Sequence, residues 1–183
     1  MNKKLMLMMV IFLLATSCEE EVTLVASFEE SGSVSVETED FSEMITIPGT
    51  DIQAAIDDAK DEEGRIEMVV LEGLILNVSE RSENTASSMD INIEILSWDT
   101  NDYLPILDEF EINIPDNNVP VLTNLQATGV NALKSQLNQL ATGSSSRDIE
   151  FQVYGPVAPA GSTVRAIVEI WIKGSVVYVQ MTD

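Results

Sequence analysis

From residue 66 onward, apolar side chains fall on every second position over long stretches, the period of a pleated strand rather than a helix. Ile66, Met68, Val70, Leu74, Leu76 and Val78 share one parity with Glu72 as the sole exception, while Val69, Leu71 and Ile75 make the other face partly apolar. This predicts one long, largely buried strand. Met89, Ile91, Ile93 and Ile95 alternate with Asp90, Asn92 and Glu94, and a further strand carries Ile106, Phe110, Ile112 and Ile114. Each of these has one dry and one wet face. Strands return at Ile149 to Val153, Val164 to Ile172 and Val176 to Met181, the last two joined tightly at Lys173-Gly174. Nearer the N-terminus Val22, Leu24, Ala26 and Phe28 alternate with polar neighbours, and Val34 and Val36 resume beyond Ser31-Gly32, which reads as a short hairpin. Met44 to Ile47 is a brief extended piece stopped by Pro48-Gly49.

Two stretches change to helical spacing. Ile52, Ala55, Ile56 and Ala59 fall on one face, with Thr50 and Asp51 as N-cap candidates and Gly64 placed to close the helix. Asp57, Asp58, Asp61, Glu62 and Glu63 crowd its C-terminal half, where the macrodipole disfavours anions, so other interactions must compensate. Val130, Leu133, Leu137 and Leu140 predict a second helix with Gly143 beyond its end. Roughly nine strands and two short helices, without regular strand-helix alternation, predict an all-β fold. The expectation is a single antiparallel β-sandwich domain over residues 22–183, immunoglobulin-like or jelly-roll-like.

Charge narrows the function classes. The 183 residues include 31 acidic and 9 basic side chains, a formal charge of −22, with 45% hydrophobic residues to build a core. So few dispersed bases cannot neutralise phosphates, which excludes a nucleic-acid partner. With no histidine and one cysteine, His-dependent general-base catalysis, His/Cys zinc sites and internal disulfides are removed together. The charge is also uneven: residues 18–117 hold 27 acids and 3 bases, residues 118–183 four of each.

The N-terminus carries an address. Met1 to Lys4 contains two lysines, Leu5 to Leu14 is an unbroken apolar run, and Ala15, Thr16 and Ser17 are small, the three regions of a secretory signal over residues 1–17. The run is too short to span a bilayer. Leu14-Ala15-Thr16-Ser17-Cys18 resembles the lipobox of bacterial lipoproteins, with Ala15 where Leu usually stands three positions before the Cys. The acidic residues 19–21 after Cys18, read as a tether, resemble the signal of Bacteroidota-type surface lipoproteins. The resemblance implies a lipidated Cys18 and an outer-membrane lipid anchor facing the cell surface or the periplasm. Cleavage there would leave 7 basic against 31 acidic residues, a charge of −24, and a domain repelled by anionic headgroups.

Candidate chemistry is sparse. Asp99, Asn101 and Asp102 form an oxygen-rich loop able to ligate Ca²⁺, the one candidate cofactor, although an Asx-rich hairpin turn explains the same residues. Trp98 and Tyr103 flank that loop as a candidate binding rim for a protein or glycan; Trp98 falls on the wet parity, with a sheet-capping role as the competing reading. These observations lead to a non-enzymatic, lipid-anchored envelope or surface protein acting as a binding module. The alternatives are a secreted glycosidase-type hydrolase using two carboxylates, and a structural subunit of a surface assembly.

Overall fold

The computed structural model describes residues 20–60, 64–114 and 125–182. The expected signal peptide and Cys18 lie outside the described residues, as do Asp61, Glu62 and Glu63. In chain order the elements are β1 (Glu20–Thr38), β2 (Asp40–Ile47), α1 (Gly49–Ala59), β3 (Arg65–Glu80), β4 (Ser88–Leu96), β5 (Tyr103–Asn113), α2 (Ala127–Ala141), β6 (Ile149–Ala158) and β7 (Val164–Thr182). They form an antiparallel sandwich of two sheets, sheet A in the order β1-β7-β3 and sheet B in the order β2-β6-β4-β5. The inward faces supply a shared core that includes Val36, Ile45, Leu76, Ile93, Phe151 and Ile170, each at most 1% exposed.

The strand order separates the two sandwich types. First and last strands lie side by side in sheet A, and the ribbon they form continues into sheet B as β2 against β6. β3 and β4 widen the same ribbon, pairing with β7 and β6. Paired strands rolled from one sheet into the other make a jelly roll, whereas an immunoglobulin sandwich pairs its first strand with its second. A jelly roll has eight strands; here, α2 lies at the edge of β3, where Asn138 Oδ1 accepts the Val69 N–H at 3.0 Å. That contact satisfies part of an edge that a strand would otherwise occupy.

Seven described strands replace the roughly nine expected, because two expected hairpins are continuous strands. Ser31 and Gly32 pair with Trp171 and Ile170 in mid-strand, and Lys173 and Gly174 pair with Glu29 and Phe28. Both glycines mark close approach instead of a turn. A Cβ on Gly32 would stand 2.8 Å from Ile45 Cγ2, and one on Gly174 would stand 2.6 Å from the Phe28 ring. β1 also includes Glu20 and Glu21, the end of the stretch read as a tether.

β3 departs from the single buried parity as well. Register shifts between Ile66 and Met68 and between Leu71 and Gly73 each insert one residue, and Glu72 occupies the second. Each insertion exchanges the faces. Met68 and Val70 therefore point outward, 48% and 38% exposed, while Val69 turns in and Leu74, Leu76 and Val78 follow correctly. β5 carries a similar irregularity: Phe110 pairs with Ile91 and Leu107 with Ile93, and Glu109 takes a φ of +47°. Asn92 clamps it, its Oδ1 accepting the Glu109 N–H at 2.9 Å.

The N-cap of α1 is Pro48, not Thr50 or Asp51, which lie in the first turn. The Gly49 N–H donates to Asp148 Oδ1 at 3.0 Å, so the anion that suits a helix N-terminus comes from the connection before β6, 99 residues further along the chain. The helix ends at Ala59 with Lys60 extended, four residues short of Gly64. Burial of Ile52 and Ile56 and a 3.3 Å Lys60–Asp57 ion pair offset the acidic C-terminal half. α2 forms as expected, with Leu133, Leu137 and Leu140 buried and Gly143 at a φ of +67° past its end.

Pairing of β1 and β3 with β7 also brings the unequal charges together. Lys173 Nζ lies 2.6 Å from Glu29 Oε1, Arg81 lies 2.7 Å from Glu37, and Arg165 pairs with Glu83. Lys173 and Arg165 of the C-terminal part thus meet acids of the N-terminal part, whereas the Arg81–Glu37 pair lies within the N-terminal part.

Candidate functional site

The outer face of sheet B gathers polar and aromatic groups from all four strands. Ser42, Tyr154 and Asn92 stand in register across β2, β6 and β4, and Met44, Gln152, Glu94 and Pro105 form the next row across β2, β6, β4 and β5. Period 2 puts each of these opposite a buried neighbour such as Ile45, Val153 or Ile93. The side chains are joined across strands. Tyr154 Oη donates to Glu94 Oε1 at 3.2 Å, and Gln152 Nε2 donates to Ser42 Oγ at 3.2 Å.

Tyr103 begins β5 and pairs with Leu96, yet its hydroxyl donates to Met44 Sδ at 3.3 Å on the opposite edge strand. The Tyr103 and Met44 side chains, reaching toward each other from opposite edges, therefore bridge the face above β4 and β6 and make a ridge beside the Gln152–Glu94 row. On the other side of that row lies an open depression of about 400 Å³, lined by Asp40, Phe41, Ser42, Glu94, Gln152, Tyr154, Gly155 and Pro156. The Tyr154 phenol is pushed above its usual pKa by burial first, and then by the charge and hydrogen bond of Glu94 and the charge of Asp108. It remains a proton donor at neutral pH.

The residues singled out around the β4–β5 connection separate. Asp99, Asn101 and Asp102 are exposed in a turn closed by Ser97 N–H to Asp102 O and Asn101 N–H to Ser97 O, both at 2.9 Å. The side chains holding this turn are Ser97 and Thr100, whose hydroxyls accept the N–H groups of Thr100 and Asp102 at 3.4 Å. Asx side chains do not supply these bonds, and Asn101 contributes a φ of +60°, which its residue type tolerates. Among the described residues no group of three or more acidic or Cys side chains is placed to hold a metal ion.

Trp98 takes the sheet-capping role instead of the wet-face one. It is half-buried against the core, its Nε1 donates to the Asp148 carbonyl at 3.2 Å, and the Arg147 guanidinium sits 5.5 Å from the ring centroid. Asp148 also holds the α1 N-terminus, so Trp98 belongs to a structural joint between β4, α1 and the loop before β6. Of the expected rim only Tyr103 reaches the outer face of sheet B. Ser42, Glu94, Gln152 and Tyr154 were missed; their shared outward parity was the available signal.

No family model matches the chain, and no curated protein does. Among solved structures, the chain is similar to that of turnip yellow mosaic virus at 100 K, with 12% identity over 90% of this chain and 98% of that one and a TM-score of 0.41. It is also similar to Desmodium yellow mottle tymovirus, with 12% identity, 90% and 85% coverage and a TM-score of 0.37. The capsid protein of the BFDV 60-mer shows 7% identity, 92% and 98% coverage and a TM-score of 0.35. The jelly-roll assignment rests on the strand order.

Proposed function

We propose that this chain is a lipid-anchored, non-enzymatic binding module of the bacterial outer membrane, held at the cell surface through Cys18 and using the outer face of sheet B. The observation that carries this reading is the open depression of about 400 Å³ on that face, built by side chains of β2, β4 and β6. The lipobox-like residues 14–18 support the anchor, and β1 begins two residues after Cys18. Such an anchor needs more than one acyl chain, each buried CH₂ adding about 0.8 kcal/mol. An open depression suits reversible contact, whereas catalysis is favoured by a site that excludes water.

Replacing Cys18 with Ala tests the anchor. The variant should leave the membrane fraction with its melting temperature unchanged, and intact-mass analysis of the parent should show a diacyl- or triacyl-modified chain starting at Cys18. An unlipidated Cys18, or a membrane chain retaining residues 1–17, would overturn the anchoring. Hydrolysis of a glycoside that is lost in Glu94→Gln would overturn the non-enzymatic reading.

A further inference from the structure

We propose that the depression on sheet B takes a neutral, polyhydroxylated ligand, a glycan, seated on Gln152, Glu94 and Ser42 beside the Tyr103 ridge. This rests on the binding-module reading and names its ligand class. The argument begins with unused hydrogen-bonding capacity. Among the described residues the two cross-strand bonds engage Tyr154 Oη with Glu94 Oε1 and Gln152 Nε2 with Ser42 Oγ, and no further side-chain bond uses Gln152 Oε1, Glu94 Oε2 or the Ser42 hydroxyl hydrogen. Two acceptors and two donors, the Ser42 hydroxyl hydrogen and the second Nε2 hydrogen of Gln152, therefore remain, spread over three strands spaced about 4.8 Å apart. Sugar hydroxyls donate and accept, and they are arranged around a ring on that scale. The existing bonds orient these groups before a ligand arrives, which lowers the entropy cost of binding.

Electrostatics narrows the class further. Asp40 and Glu94 line the depression, and no Lys or Arg is among its lining residues. A phosphate, a nucleic acid or an acidic polysaccharide would be repelled. Phe41 is an apolar lining residue but is only 3% exposed, so it offers little of the deep anchor pocket on which protein interfaces rely. The Tyr154 ring, which lines the depression, adds an aromatic surface for the C–H side of a sugar. Amide, hydroxyl, carboxylate and aromatic plane together favour a glycan over a peptide.

The full chain is run through native gels containing dextran, laminarin, mannan or xylan, with polygalacturonate as the acidic control. Retardation by at least one neutral polysaccharide is expected, weakened about tenfold or more in Gln152→Ala and Tyr154→Ala. Ser42→Arg, at an exposed edge position, should block the depression without disturbing the core, and Trp98→Phe should leave retardation intact. No retardation by any neutral polymer, equal retardation of Ser42→Arg, or stronger retardation by polygalacturonate would overturn the proposal. A photo-crosslinker placed at residue 42 on intact cells separates the two readings. A protein adduct without polysaccharide retardation sinks the glycan and leaves the binding module, whereas neither adduct nor retardation sinks both.

Discussion

Gly174→Ala tests the register of sheet A at its most crowded point. A Cβ there would stand 2.6 Å from Cε1 and Cζ of Phe28 and 3.0 Å from the Val70 carbonyl oxygen. Phe28 is only 4% exposed, so its ring cannot move aside without opening the core. Overpacking of this kind costs about 1–3 kcal/mol. Against it, removing a glycine restricts the unfolded chain and returns about 0.4–1 kcal/mol. The net expectation is a loss of about 1–2 kcal/mol. Phe28→Leu is destabilising by itself but vacates the space that the new methyl needs. In that background Gly174→Ala should be nearly neutral, giving a coupling of about 1–2 kcal/mol between two residues 146 positions apart in sequence. Urea melts of the four proteins measure this directly, since an m-value of about 1–3 kcal/mol per M converts such a coupling into a resolvable midpoint difference. Additivity within about 0.5 kcal/mol would refute the contact and restore Lys173-Gly174 as a turn.

Three further outcomes are expected. Ile93→Ala, at 1% exposure, should cost about 2–5 kcal/mol in the same melts. Asn92→Ala should cost about 0.5–1.5 kcal/mol because its amide holds the Glu109 N–H and the Tyr154 carbonyl, and equal losses at both positions would mean that the strand is not half-buried. Folding favours the neutral Tyr154 phenol, so its contribution is fully present below the unfolded pKa of about 10 and is lost as pH rises through the higher folded value. Tyr154→Phe should flatten that alkaline loss, and an unchanged slope would contradict the burial and the neighbouring Glu94 and Asp108 charges that raise the phenol. Millimolar Ca²⁺ should raise the melting temperature equally in the parent and Asp99→Ala through diffuse screening, and a gain that vanishes in the variant would establish an ion site at Asp99, Asn101 and Asp102.

The fold class was readable because alternation survives wherever the ladder is regular. Ile91, Ile93 and Ile95 face the core as their parity requires, and α2 buries the predicted Leu stripe. What misled was glycine and acidic punctuation. Ser31-Gly32 and Lys173-Gly174 look like turns in a one-dimensional pattern, yet one glycine admits Ile45 and the other admits Phe28. A missing Cβ serves a bend and a close approach equally well, and only the partner strand decides which. Glu72 was likewise read as an exception on one face; two inserted residues in β3 shift the parity and place it outside. The strand order was beyond reach for a different reason. Jelly roll and immunoglobulin sandwich share the same local pattern, and they differ in pairings such as Glu20 with Thr182 that link the two ends of the chain.

The candidate site follows the same division between local and long-range information. Trp98 and Tyr103 flank one short turn, and proximity in sequence suggested a common rim, but opposite ends of a hairpin hand their side chains to different surroundings. Trp98 is drawn to the Asp148 carbonyl and Arg147 and becomes a joint under α1. Tyr103 finds its hydrogen-bond partner at Met44, across the whole width of sheet B. Ser42, Glu94, Gln152 and Tyr154 carry no motif, since each is one outward residue of an ordinary alternating strand. Register turns four unremarkable polar positions into two cross-strand hydrogen bonds around a depression. Because that arrangement depends on β6 lying between β2 and β4, a shift of β6 by one residue would bury Gln152 and Tyr154 and expose Phe151 and Val153. The core packing that fixes the fold therefore also fixes the proposed site, and loss of ligand retention in a β6 register variant should coincide with loss of stability.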